Sequence, residues 1–401
     1  MRKGMALLNL LVVVLPLCGV EIVEVASVRT LKVRNAPSVH EQYKYLREPN
    51  AVVTSHGTLL VAFGPHHVKG RNDRAHQDIL LRRSTDEGKT WSAITRIADA
   101  GMDSVLPTAL VFDAEKSRTL LVYNVIYNAP GRQKNLPARQ FVIQSEDEGA
   151  SWSKPREILN EVGGICVFGG GNGFQLQQGV GRGRLIIPGG IRRGGVFASE
   201  DHGVSWTYHA IPNRGRREAT GCEISDGSMI VYHRNSRGFG ILESRSTDGG
   251  ESWSPQRAVL PDLWGQCNNS ALVIQHRGKE FLLLAGPVGP ENAAKLALIK
   301  DAGRLKRGAE DSQQAARSNG AIFMSHDGGR TFPHRALIAP GWTFGYNVLV
   351  QLGDGRIGLV FEGSRGVREW QKAKRDHNTG AQLGIYLAIV NPEEVIATQT
   401  K

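Results

Sequence analysis

Chemistry in this chain has to be sought among scattered side chains, because its compact signatures are incomplete. His66 and His67 are adjacent and could offer imidazole to a metal ion, but no companion ligands stand at metal-site spacing. The run Phe168 to Gly173 is glycine-rich, as a phosphate-cradling loop would be, yet no Gly-Lys-Ser/Thr follows it. Cys166, Cys222 and Cys267 are widely spaced and form no Cys-x-x-Cys pair. Buried free thiols are the default for them, with one bridge left open, and neither a zinc site nor a disulfide framework is expected. No metal and no cofactor is therefore expected. What remains is charge: 49 Lys and Arg against 38 Asp and Glu leave a formal +11. An excess of base favours an anionic partner. The basic residues are scattered, apart from Arg304, Lys306 and Arg307, with no RNA-binding motif and no helix dense in base. An acidic small molecule or glycan fits better than nucleic acid. The bland alternative is that the charge serves solubility alone.

The elements that must position any such site announce themselves by repetition. Ser-x-Asp-x-Gly-x-Ser/Thr-Trp/Phe recurs five times: Ser84 to Trp91, Ser145 to Trp152, Ser199 to Trp206, Ser246 to Trp253 and Ser325 to Phe332. Ile79-Leu80-Leu81, Phe141-Val142-Ile143 and Ala321 to Met324 lead into three of the copies, and a second short run follows, so the motif reads as a β-hairpin turn. Asp can accept bonds from turn amides, Gly allows a left-handed backbone, and the aromatic ring tucks between sheets. A second signal is a glycine leading into an apolar run: Gly57 to Phe63, Gly183 to Ile187, Gly227 to Tyr232, Gly278 to Ala285 and Gly355 to Phe361. Two hairpin signals per repeat give about four strands. The chain is expected to be all-β, a six-bladed β-propeller of four-stranded antiparallel blades. Five blades carry the motif, the sixth runs from about Trp342 to Val390, and an N-terminal strand closes the ring. Lys300 to Ser318 is polar and reads as a surface insertion.

The N-terminus is set apart. Arg2 and Lys3 precede an apolar run from Ala6 to Val20, the layout of a secretory signal peptide and short for a membrane span. Residues 1–27 are assigned to that leader and residues 28–401 to the propeller. Secretion or a periplasmic location is the expectation. Lipid anchoring at Cys18 is the lesser alternative, because Leu17 is bulky where such sites favour a small residue.

The repeats match the Asp box, and the chain resembles the sialidase (neuraminidase) family of six-bladed propellers across nearly everything after the leader. In that family the box lies away from the active site and argues fold alone. Function comes from other positions, found in the family's order. Arg47, in Tyr45-Leu46-Arg47-Glu48-Pro49, resembles the first of three arginines that bind the sialic acid carboxylate. Arg234, after Met229 to His233, and Arg317, eight residues before the last box, take the second and third places. Asp73 falls where the family has its acid/base aspartate, Glu218 where a glutamate activates the nucleophile, and Tyr346 where the nucleophile stands. Glu362 resembles the carboxylate that steadies the first arginine. Many members carry another arginine where this chain reads Gly64-Pro65-His66-His67. The stretch Met102, Asp103 and Ser104 is the expected second-blade contribution to an N-acetyl pocket.

These residue types suit the substrate the resemblance implies. A sialic acid carries a carboxylate on its anomeric carbon, and guanidinium groups recognise it with permanent charge and paired donors. A carboxylate nucleophile would be repelled by that anionic centre, whereas a tyrosine is neutral until a neighbouring base takes its proton. The implied activity is retaining exo-sialidase hydrolysis of sialylated glycans, with no nucleic acid partner and no membrane span. Two alternatives stand beside it. One is a non-catalytic Asp-box propeller that binds glycan or protein, with scattered arginines and Tyr346 away from any cleft. The other is an enzyme of this fold acting on another acidic sugar. Trp264, Trp342 and Trp370 lie outside the boxes and could stack on sugar, although packing is the commoner use.

Overall fold

The chain opens into its first sheet at β1 (Glu21–Ser27), which pairs antiparallel with the last strand of the protein. This computed structural model describes residues 19–28, 31, 33–34, 43–67, 76–129, 131, 136–167, 171–190, 194–212, 218–235, 239–289, 317–365 and 383–398. A five-stranded sheet follows, from β2 (Val33–Arg34), β3 (Tyr43–Val53), β4 (Leu59–His67), β5 (Ile79–Ser84) and β6 (Ile94–Ala98), in the order β2-β6-β5-β4-β3. Three four-stranded meanders come next. They are β7 (Ser104–Asp113), β8 (Arg118–Ile126), β9 (Arg139–Ser145) and β10 (Arg156–Glu157); β11 (Phe174–Gln175), β12 (Leu185–Pro188), β13 (Gly195–Ser199) and β14 (Thr207–Ala210); and β15 (Ala219–Glu223), β16 (Met229–His233), β17 (Phe239–Ser246) and β18 (Arg257–Trp264). The last sheet has seven strands: β19 (Ser270–His276), β20 (Lys279–Pro287), β21 (Ser318–Ser325), β22 (His334–Gln351), β23 (Ile357–Ser364), β24 (Gly384–Val390) and the returning β1.

The sheets close into a ring, a propeller-like all-β arrangement. β3 packs on β7, β7 on β11, β12 on β15, β15 on β19, β19 on β22, and β22 back on β3. Inner strands such as β7, β16, β21 and β23 are buried on both faces, which is why the sequence shows continuous apolar runs, whereas outer strands such as β14 and β18 are partly exposed. In β4, Leu59, Val61 and Phe63 pack with Val348 and Leu387, while Leu60 and Ala62 pack with Val105 and Leu121.

Five sheets stand where six separate blades were expected. The reason is β22, which runs unbroken for 18 residues. Its first half pairs with β21 and its second half with β23, crossing over at Thr343, which faces both Ser318 and Ser364. The halves of this sheet fold against each other around Phe281, Leu283, Phe344 and Phe361. A closing strand is present, and it lies inside the stretch assigned to a leader: Val25 and Ala26 of β1 are buried against Ile385 and Leu387. The sheet thus begins at Glu21, ahead of residue 28.

The five turns share one hydrogen-bond scheme, which explains their consensus. In each, the first serine donates to the aspartate at 2.7–2.9 Å and accepts the glycine N–H at 2.7–2.8 Å. The aspartate also accepts the N–H and hydroxyl of the Ser/Thr four residues on. The glycine is left-handed and lies against the preceding unit, so a Cβ on Gly203 would stand 2.2 Å from Leu120.

Arginines from the preceding unit clasp four of these turns through their carbonyls, and Arg356 meets the Glu87 carboxylate of the first. Arg83 donates to the Glu148 carbonyl at 3.0 Å, Arg156 to Gly203 at 2.8 Å, Arg184 to Gly249 at 2.7 Å, and Arg245 to Gly328 at 2.7 Å. Arg82 donates to the Val25 carbonyl and so ties down the closing strand. Part of the basic excess therefore serves the joints between sheets. The glycine-rich run after Phe168 has a structural use as well: Asn172 bonds both the N–H and the carbonyl of Ala51 in β3.

Two outcomes follow from these joints. Asp86, Asp248 and Asp327 ionise at about 2, against an ordinary 3.8, with hydroxyl and amide donors holding the charged form. A depressed acid stabilises the fold fully above its unfolded value and loses that contribution as pH falls through the folded value. The melting temperature should therefore fall steadily between about pH 4 and pH 2, and Asp248→Asn should flatten that slope; an unchanged slope contradicts the account. Arg184→Met, which removes the clasp on Gly249, should lower unfolding free energy by about 1.5–3 kcal/mol in a urea titration.

Candidate active site

The antiparallel pairing of β15 and β16 sets Glu218 opposite Arg234. Ala219 pairs with His233, so the next residue outward on each strand meets its partner, and the Arg234 N–H donates to the Glu218 carbonyl at 3.0 Å. Their side chains then join. Arg234 Nη1 lies 2.5 and 2.6 Å from the two carboxylate oxygens of Glu218. Tyr346 comes from β22, across the ring, and its hydroxyl donates to Glu218 Oε1 at 2.5 Å and accepts from Arg234 Nη1 at 3.3 Å.

Two further guanidinium groups face the same phenol. Arg47 Cζ is 5.4 Å and Arg317 Cζ 5.5 Å from the centre of the Tyr346 ring, within cation–π range. Arg47 Nε stands 3.7 Å from Glu362, a fully buried carboxylate that also accepts the Glu48 N–H at 2.8 Å. Arg317 donates to the Gln266 carbonyl at 3.3 Å. Behind the phenol, Trp264, Cys267 and Phe239 form an apolar wall. The three arginines expected from sequence thus converge on Tyr346 with Glu218 in hydrogen-bond reach, and Glu362 stands beside Arg47. Asp73 lies outside the described residues.

The strands depart from regular pairing where they carry these groups. Register breaks fall between Arg47 and Asn50, between Ser318 and Gly320, and between Phe344 and Asn347. Such bulges turn side chains off the sheet. Gly345 completes one of them, since a Cβ there would stand 2.3 Å from Glu362 Oε1.

Electrostatics keeps the free site proton-loaded. Burial, then the Glu218 charge, pushes the Tyr346 phenol well above 10, with the three arginines pulling the other way. Burial opposes the charge on Arg234, but Glu218 and Tyr346 overcome it and hold its pKa above the ordinary value. The resting arrangement is a neutral phenol 2.5 Å from a carboxylate that can take its proton, beneath a cluster of positive charge.

Other expected positions have structural uses. His66 is fully buried, its ring 5.1 Å from that of Tyr45, so a buried aromatic pair occupies the place of an expected arginine. Asp103 accepts the N–H groups of Asn128 and Ala129 at 2.9 and 2.8 Å, while Met102 is exposed. Trp264 belongs to the wall behind Tyr346, and Trp342 packs edge-on against Tyr386 and Phe361; Trp370 lies outside the described residues. Cys166, Cys222 and Cys267 are free and buried. Sequence reading missed Gln266, the wall residue Cys267 and the three bulges, none of which carries a local signal. Among the described residues no helix is long and apolar enough to cross a membrane.

The ion pair and the phenol can be separated by stability. Glu218→Ala strands the Arg234 guanidinium, and should cost about 2–3 kcal/mol, less than a fully buried pair because Arg234 is partly exposed. Tyr346→Phe keeps the ring between its arginines and should cost under about 1.5 kcal/mol. Equal losses in urea unfolding would contradict this geometry.

Comparison with known proteins places the chain. A family model described as a BNR repeat-like domain matches residues 50–359. The chain is 30% identical over 357 residues to a sialidase of Micromonospora viridifaciens, covering 82% of this chain and 51% of that protein. It is 25% identical over 365 residues to a sialidase of Bacteroides fragilis, covering 82% of this chain and 62% of that one. It therefore spans between about half and three-fifths of the length of these relatives. In fold it resembles the solved Hadza microbial sialidase Hz136, with a TM-score of 0.69 and 20% identity over 89% of this chain and 68% of that one.

Proposed function

The chain belongs to the sialidase family of BNR-repeat propellers, and from that premise we propose that it is a retaining exo-sialidase releasing terminal sialic acid from glycoconjugates. The observation that carries this reading is the Tyr346–Glu218 hydrogen bond of 2.5 Å beneath the guanidinium groups of Arg47, Arg234 and Arg317. The substrate carboxylate docks among the three arginines and relieves their mutual repulsion. Tyr346 Oη then attacks the anomeric carbon while its proton passes to Glu218, and the bond to the leaving glycan oxygen breaks. Asp73, by resemblance to the family's acid/base, protonates that oxygen and then takes a proton from the water that attacks the tyrosyl–sugar bond. Glu218 returns its proton to Tyr346. Two displacements at one carbon give retention.

The convergence of the arginines weighs against a purely non-catalytic propeller, for which they need not meet. The buried His66–Tyr45 pair supports a second reading, an enzyme of this fold for another acidic sugar, because the C4 side of the ring then meets no guanidinium from that position. Six blades are part of the proposal: β22 counts twice, as the outer strand of one unit and the inner strand of the next, and an apolar core separates its halves. Export by an N-terminal leader is also proposed. Its removal must fall ahead of Glu21 if β1 is to keep its pairing with β24, which shifts the start of the propeller domain from residue 28 to about residue 21.

The test is turnover of fluorogenic sialosides of several linkages. Wild type should release the fluorophore, Tyr346→Phe should lose at least about a thousandfold in kcat, and NMR should find the first-formed sugar with the anomeric configuration of the substrate. No release by folded wild type on any linkage, or inversion, contradicts the proposal.

A further inference from the structure

Eight residues other than glycine have a left-handed backbone among the described residues. Glu87, Glu148 and His202 belong to the repeated turns. Ser117 and Arg277 sit at hairpin tips, and Leu260 at a register break between β17 and β18. Two remain, Glu48 with φ 57° and Asn319 with φ 55°, and each lies in a bulge within two residues of a site arginine. Left-handed backbone is costly for residues with a Cβ and persists where surrounding bonds enforce it. At Glu48 the enforcing bond is its own N–H to Glu362, the carboxylate beside Arg47.

Asn319 is enforced from both ends of its side chain. Its Nδ2 donates to the Gly289 carbonyl at 2.7 Å and its Oδ1 accepts the Gly341 N–H at 2.6 Å. The Asn319 carbonyl accepts the Val288 N–H at 3.1 Å. The side chain is buried and tied to the strand that leaves β20 and to the turn before Trp342. Arg317 sits between those same anchors: its carbonyl accepts the Phe344 N–H at 2.9 Å, and the next carbonyl, of Ser318, accepts the Gly289 N–H at 3.1 Å. Asparagine meets the three demands of this position. It tolerates the left-handed region, and it carries one donor and one acceptor on a short stem. Aspartate lacks the donor, and glycine lacks both.

We propose that Asn319 is a positioning residue that aims the Arg317 guanidinium at the face of Tyr346, as the bulge at Glu48 aims Arg47. This rests on the reading of Arg317 as a carboxylate-binding group. Loosening the staple lets the Arg317 backbone shift, which weakens capture of the substrate carboxylate while the Tyr346–Glu218 pair stays in place.

The experiment is a double-mutant cycle on KM and kcat per folded enzyme with a fluorogenic sialoside, using wild type, Asn319→Gly, Arg317→Ala and the pair together, with Asn319→Asp as a milder variant. Asn319→Gly keeps the backbone conformation without strain and removes only the staple. It should raise KM about tenfold and leave kcat within about twofold, and its effect should shrink to under about twofold when Arg317 is already alanine. Asn319→Asp, which keeps the bond to Gly341, should fall between. A wild-type KM in Asn319→Gly beside a raised KM in Arg317→Ala overturns the positioning role alone. So does an equal rise in both backgrounds, which marks a general structural effect. A wild-type KM in Arg317→Ala overturns the carboxylate reading itself and this inference with it.

Discussion

Three guanidinium groups held around one buried phenol are the constraint on which this structure turns. Like charges at such range repel, and a fold does not gather them without compensation. Glu218 and Glu362 supply two negative charges, the Tyr346 ring offers its electron-rich face to Arg47 and Arg317, and the Gln266 carbonyl takes a donor from Arg317. Among the described residues, these two carboxylates against three guanidinium groups leave a positive excess. That residual charge is the physical reason to expect an anion there.

The scaffold meets this constraint by rigidity built elsewhere. The repeated turns lock through the same serine–aspartate–glycine bonds, and arginines of neighbouring units bind their carbonyls. Each inner strand is thereby fixed against the next, and groups from β3, from the end of β16 and from β22 can meet although more than a hundred residues separate them in sequence. Regularity then yields locally. At the site the strands bulge, and among the described residues the two left-handed residues other than glycine that lie outside turns and outer strands stand beside Arg47 and Arg317. Strain of this kind persists only where the surroundings over-determine it, which the joints between sheets provide.

Much of this was legible in the sequence, for physical reasons that also mark where reading stops. The turn is a local motif, so its five copies and their hairpins could be read directly. Tyr346, Glu218, Arg234, Arg47, Arg317 and Glu362 could be found through family resemblance, and the structure brings them together. Pairing between distant strands is not local. The continuity of β22 was hidden for that reason, as were the three bulges and the wall of Trp264, Cys267 and Phe239. β1 was hidden by composition, because Val23, Val25 and Ala26 continue the apolar character of the stretch before them. The net charge misled in part: arginines such as Arg184 and Arg245 bind carbonyls of adjoining units, and only a few face the site.

The central claim is that the cluster over Tyr346 is a carboxylate site. Calorimetric binding of free N-acetylneuraminic acid, compared with its methyl ester, tests it most directly, because the two differ in the one group the arginines are proposed to hold. The account predicts that the acid binds and that the ester binds at least about a hundredfold more weakly. Equal affinity for acid and ester would contradict it.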